Sequence, residues 1–175
     1  MIQYLRGRVP SVHSETFIHE SAQIIGDVRI AKDVSIWPQS VLRGDDHNYI
    51  EIGEGSNIQD GTICHVTPES PLVIGKMVTV GHRATLHACT IEDGALIGIG
   101  AIVLDGAIIK KGAQVAAGAV VPPGKVIPEG TLAVGIPAKV IRELHDKEKQ
   151  GLIANAKEYI ELWKNNYKQE SEAEY

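Results

Sequence analysis

The chain has 175 residues, 43% of them hydrophobic and 22% charged, and a net charge of −5. That length allows one domain with a core, and the composition fits neither a disordered chain nor a membrane-embedded one. The acidic balance speaks against nucleic acid, while 5% aromatics and 18 glycines point to regular stacking of small aliphatics.

The N-terminus, Met1-Ile2-Gln3-Tyr4-Leu5-Arg6, shows no apolar stretch and no cleavage pattern, so no signal peptide is expected. From Val12 an aliphatic returns every sixth residue: Val12, Ile18, Ile24, Ile30, Ile36, Leu42. The series resumes at Ile52, Ile58, Cys64, then at Ile74, Val80, Leu86. It runs on through Ile91, Ile97, Val103, Ile109, Val115, Val121, Ile127 and Ala133. Of these 20 positions only Cys64 and Ala133 are not large aliphatics. Three residues on comes glycine, at 94, 100, 106, 112, 118, 124 and 130, and four residues on comes Ala95, Ala101, Ala107, Ala113 or Ala119.

The phase breaks in three places. Leu42 to Ile52 and Cys64 to Ile74 each span ten residues, and Leu86 to Ile91 spans five. Interruptions of a solenoid tend to carry function. The apolar runs between Ala95 and Val121 are cut by Asp105, Lys110 and Lys111, so no window of about 18 apolar residues exists and no membrane span is expected. Cys64 and Cys89 make no disulfide framework and read as buried hydrophobes in a reducing cytoplasm. The β-helix is expected to end near Ile136-Pro137, and from about Arg142 the composition turns to Glu, Lys, Ala and Leu. Leu152, Ile153, Ala156, Tyr159, Ile160, Trp163 and Tyr167 follow helical spacing, with Gly151 expected to set off a short leading turn. The expected division is a β-helix over 1–140, an amphipathic helix over 141–168 packed on it or on a neighbouring subunit, and a frayed tail over 169–175.

This period resembles the hexapeptide-repeat proteins, an all-β solenoid class whose left-handed parallel β-helix has three rungs per coil. The handedness comes from that resemblance and not from the spacing. Twenty rungs then make roughly seven coils, followed here by a C-terminal α-helix. On a three-sided coil Leu42, Cys64 and Leu86 stack, so the residues after them form a column: Arg43, His65, His87. Coils lie about 4.8 Å apart, close enough for His65 and His87 to share a metal. His82 lies on the adjacent face, in a column with Asp60, roughly 16 Å of strand path from His87. A threefold assembly that joins the Arg43/His65/His87 face to the Gln59/Asp60/His82 face of the next copy brings three imidazoles together at each interface. Three histidines without a fourth protein ligand leave the open position of a catalytic metal. His13, His19, His47 and His145 read as surface or hydrogen-bonded groups, and Trp37 and Trp163 as packing residues.

At these residues the chain resembles the γ-class carbonic anhydrase family, particularly its shorter bacterial members. The shared motifs are Arg43-Gly44-Asp45, Asn57-Ile58-Gln59-Asp60, Cys64-His65, Gly81-His82 and His87. The closing Val134-Gly135-Ile136-Pro137-Ala138-Lys139-Val140 is common to many hexapeptide proteins. The resemblance implies a homotrimer that hydrates CO2 reversibly to bicarbonate through a metal-bound hydroxide. Zinc, iron(II) or cobalt would sit at each subunit interface on His65, His82 and His87. It implies that Gln59 orients the hydroxide, that Asn57 lines the pocket, and that Arg43, Asp45 and Asp60 form an interface ion-pair network. Active archaeal members carry a long acidic loop after the first histidine, with a glutamate thought to shuttle protons. Here that loop is only Val66 to Pro71, with Glu69 its one carboxylate, and the acid after Arg43-Gly44-Asp45 is Asp46. Glu69 and Tyr159 are the remaining candidates for moving the proton. The competing readings are a metal-binding trimer with little hydration activity, as a scaffold or a thioester hydrolase on the same site, and a CoA-dependent acyltransferase.

Overall fold

The period of six becomes a parallel β-solenoid. The computed structural model describes residues 1–5 and 7–167; residue 168 and the expected frayed tail over 169–175 lie outside the described residues. Short strands wind into three sheets, with seven, seven and eight strands. The first sheet carries Ile2, Ile24, Leu42, Cys64, Leu86, Val103 and Val121 in register. The second carries Val12, Ile30, Ile52, Ile74, Ile91, Ile109 and Ile127. The third carries Ile18, Ile36, Ile58, Val80, Ile97, Val115 and Ala133. All 20 positions of the repeat therefore point inward on three columns, one column per face.

From Ile24 onward these positions are at most 4% exposed, and only Val12 and Ile18, near the open N-terminal end, are partly covered. Each buried aliphatic stabilises by about 1.5–3 kcal/mol relative to exposure. The corner after each strand demands a left-handed backbone, and glycine meets that demand without steric cost. Gly94 to Gly130 hold it with φ between 59° and 68°.

The last coil is covered by a strand not expected from the repeat. Lys139–Glu143 pairs antiparallel with Thr131–Val134 and satisfies an edge that would otherwise stand open. For this reason the helix expected from 141 begins at Asp146 and runs to Leu162, followed by one π-helical turn over Trp163–Tyr167. Its start is marked by Glu148, whose carboxylate accepts from the His145 backbone N–H at 2.8 Å and pairs with Arg142. Gly151 does not divide it and lies within the continuous helix. The helix lies against the third sheet through an aromatic cluster. Trp37 meets Tyr159 edge to face at 5.4 Å, and Phe17 meets Trp37, Trp163 and Tyr167. Among the described residues no helix is long and apolar enough to cross a membrane.

Candidate metal centre

Three strands of the first sheet, Val41–Gly44, Ile63–His65 and Thr85–His87, place Arg43, His65 and His87 directly opposite one another. That is the column expected from rung counting. His65 Nδ1 lies 3.1 Å from His87 Nε2. The two insertions border this column. Asn48 in the first donates to the carbonyls of Thr67 and Pro68 in the second, both at 3.2 Å, so the loops brace each other. The one-residue deletion makes a tight corner at Ala88, with φ of 45°, which turns Cys89, two residues after His87, into the core. Gly44 has a steric reason to be glycine: a Cβ there would collide with the Asp27 carbonyl of the coil below.

Each histidine of the expected set is backed by a carboxylate. His65 Nε2 lies 3.0 Å from Asp45, His82 Nδ1 lies 2.9 Å from Asp60, and His87 Nδ1 contacts Asp105. An ionised carboxylate only accepts, so each holds the N–H of the ring nitrogen it faces. The lone pairs then fall on the other nitrogens: His65 Nδ1, His87 Nε2 and His82 Nε2. The first two face each other at hydrogen-bonding distance, so either one shared proton or a cation bound by both nitrogens satisfies the pair. Two nitrogens on a tetrahedral metal at 2.0–2.1 Å stand about 3.3 Å apart, close to the separation seen. The donor set therefore fits a divalent metal of the zinc, iron or cobalt type.

His82 stands apart, after the third-sheet strand Thr79–Val80, which pairs with Asn57–Ile58. Its side chain is 43% exposed, against 17% for His65. Among the described residues of one chain, no three His, Cys, Asp or Glu side chains converge to hold a metal. A cavity of about 480 Å³ beside Lys76, Lys111 and Lys149 is lined by none of these histidines.

The other expected residues divide between the two faces. Gln59 and Asn57 are buried in the third sheet, with Gln59 Nε2 donating to Asn57 Oδ1 at 3.1 Å. Within the chain Arg43 pairs with Asp45, while the Asp60 carboxylate faces His82. Burial alone would raise the Asp45 carboxyl, but hydrogen bonds from Arg43 and His65 overcome it and hold it below the usual range. Tyr159 packs on Trp37, and burial, with Asp60 and Glu158 adding to it, raises its phenol. Glu69 is exposed on the turn closed by Thr67 and Ser70, and makes no side-chain hydrogen bond among the described residues. Cys64 and Cys89 are buried, free thiols, and burial pushes Cys64 up to about 12, so neither offers a thiolate.

Three residues of the site escaped the sequence reading: Asp105, Thr79 and Asn155. For Asp105 a signal existed. Val103 continues the Leu42/Cys64/Leu86 column one coil further, and the acid two residues after it lies beside His87. Asn155 had none, because its hydrogen bond to Thr79 joins residues 76 apart.

No protein-family profile matches the chain. It is 45% identical over 161 residues to a carbonic anhydrase of Geobacillus kaustophilus, covering 92% of this chain and 88% of that protein. It is 44% identical over 159 residues to the mitochondrial γ-carbonic anhydrase 2 of Arabidopsis thaliana, covering 87% of this chain and 57% of the longer plant protein. Among solved structures, a hexapeptide transferase family protein from Anaplasma phagocytophilum superposes with a TM-score of 0.91 at 44% identity, covering 94% of this chain and 97% of that one.

Proposed function

The chain belongs to the γ-class carbonic anhydrase family, and from that premise we propose that it hydrates CO2 reversibly to bicarbonate at metal sites shared between the subunits of a homotrimer. The observation that carries this reading is the divided histidine set. His65 and His87 face each other with their outer nitrogens held by Asp45 and Asp105, while His82, held by Asp60, is half exposed on another face. His65 and His87 of one copy and His82 of the next would hold the ion. A zinc, iron(II) or cobalt ion there supplies a Lewis acid able to lower the pKa of water to about 7.

The chain's own groups do the rest. The three carboxylates fix the ring tautomers, which keeps one lone pair per histidine directed outward. Gln59 donates its amide N–H to Asn57, so its Oε1 remains to accept a hydrogen bond from the reacting water. Arg43, directly opposite His65 on the first sheet, is suited to hold bicarbonate. Hydration releases one proton for each bicarbonate formed. Tyr159, packed on Trp37 with its phenol raised by burial, keeps its proton and is poorly suited to shuttle one. The exposed carboxylate of Glu69, on the second insertion that borders this column, is suited to carry the proton to solvent. The two buried free thiols suit a cytoplasmic setting.

Stopped-flow CO2 hydration on protein stripped of metal and reloaded without oxygen with iron(II) or zinc tests the reading, alongside sedimentation to measure the oligomer. The expected result is a trimer with metal-dependent hydration. Full activity without metal would sink it. The transferase name of the solved relative favours a second reading, acyl transfer from coenzyme A. Turnover of acetyl-CoA that a chelator leaves untouched would select it. A loaded trimer without hydration would leave the scaffold or thioester-hydrolase reading.

A further inference from the structure

A line of polar side chains crosses the third sheet and ends on Gln59. Gln59 Nε2 donates to Asn57 Oδ1 at 3.1 Å, Asn57 Nδ2 donates to Thr79 Oγ1 at 3.0 Å, and the Thr79 hydroxyl donates to Asn155 Oδ1 on the helix at 3.0 Å. Asn57, Thr79 and Gln59 are 1%, 4% and 5% exposed, so these groups cannot turn to water instead. All three bonds run in one direction, toward the helix.

That direction has a chemical consequence at the far end. A hydroxyl has a single proton to give. Thr79 gives it either to Asn155 or to Asn57, and takes a bond from the other. Each amide donates at one end and accepts at the other. The choice at Asn155 is therefore transmitted through Thr79 and Asn57 to Gln59. In the observed direction the Gln59 N–H is used and its Oε1 is left over as an acceptor. In the opposite direction Asn155 would donate, Oε1 would be used, and Gln59 would present an N–H. Only the first can accept a hydrogen bond from a reacting water. The helix is set for this contact because Tyr159, four residues after Asn155 and on the same helix face, is packed against Trp37.

We infer that Thr79 and Asn155 are positioning residues for the hydration site: with Asn57 they form a directional relay from the C-terminal helix that makes Gln59 a hydrogen-bond acceptor. This rests on the carbonic anhydrase reading of the site. Three variants test it. Asn155→Asp accepts only, so it locks the observed direction. Asn155→Leu and Thr79→Val keep the volume and remove the bonds. Asn155→Asp should keep kcat within about twofold of the unaltered protein. The other two should lower kcat about three- to tenfold, the worth of one hydrogen bond, with KM and bound metal per subunit unchanged. A second readout needs no turnover. Solvent exchange of the Gln59 side-chain NH2, followed by NMR, should be slow in the unaltered protein and in Asn155→Asp, and at least about tenfold faster in the two broken relays. Unchanged kcat and exchange in Asn155→Leu and Thr79→Val would overturn the inference, as would an Asn155→Asp that loses as much as Asn155→Leu. A metal-loaded protein that hydrates no CO2, yet shows the same pattern of protected NH2, would strike the functional reading and leave the relay standing.

Discussion

The coils from Ile36 to Ile91 and those from Ile91 to Ala133 share one architecture and differ in almost everything laid upon it. In the later coils every left-handed corner is glycine, the repeat never slips, and small alanines fill the positions beside it. In the earlier coils and just before them, the same corner also holds Asp33, Gln39, Met77 and Arg83, with φ between 53° and 60°. A non-glycine residue costs about 1–2 kcal/mol there. All three breaks in the repeat fall in this half. So do six of the eight buried polar residues among the described residues, Ser40, Ser56, Asn57, Gln59, Thr62 and Thr79, with Ser35 just before it and Thr131 in the later coils. The later coils are optimised for stacking. The earlier coils give up some of that stability to place polar groups, and the candidate site lies among them.

If that division is right, the two halves should respond to mutation in different ways. His82→Ala should remove the metal, from about one ion per subunit to near zero, with an unchanged far-ultraviolet circular dichroism spectrum; metal analysis and the spectrum check both halves of the statement. Ile109→Ala in the regular half should do the opposite. It should cost about 2–5 kcal/mol in denaturant unfolding while each folded subunit still takes up metal. An Ile109 variant that lost its metal while folded would erase the distinction. Asp105→Ala joins the halves, since its carboxylate comes from the regular coils and serves His87. Competition with a chelator should show metal binding about 10–100-fold weaker, with little change in unfolding. The corner swaps are the smallest effects. Gly112→Ala, with no atom within 4 Å to clash, should cost about 1–2 kcal/mol through backbone conformation alone. Gln39→Gly, at an exposed corner of the earlier half, should gain roughly 0.5–1 kcal/mol. Thermal unfolding of this pair reads the strain carried by the site half against the ease of the scaffold.

Much of this was legible from the residues alone. A rung is a local object, two residues of strand and four of corner, so its inward aliphatic recurs at a fixed spacing. The stacking of His65 on Arg43 and His87 follows by counting rungs, even across two insertions, because register is set by the aliphatics and not by chain length. The helix start was misjudged by five residues, since helical composition at 141–145 gave way to strand pairing with the last coil. Glu69 lies on the exposed turn of the second insertion, and its side chain has no hydrogen-bond partner there among the described residues.

What the sequence by itself determined is the six-residue repeat and its phase and, with the three-rung coil that the family resemblance implies, the separation of His82 from His65 and His87. These depend on period and phase, which the backbone repeats coil after coil. Only the tertiary structure decided which carboxylate faces which histidine, and thus where each lone pair points. It alone decided that a helix 76 residues away completes the hydrogen bonds of Thr79. Those outcomes depend on side-chain rotamers and on how the aromatic cluster of Phe17, Trp37, Tyr159 and Trp163 seats the helix. Such packing is long-range and has no period to read.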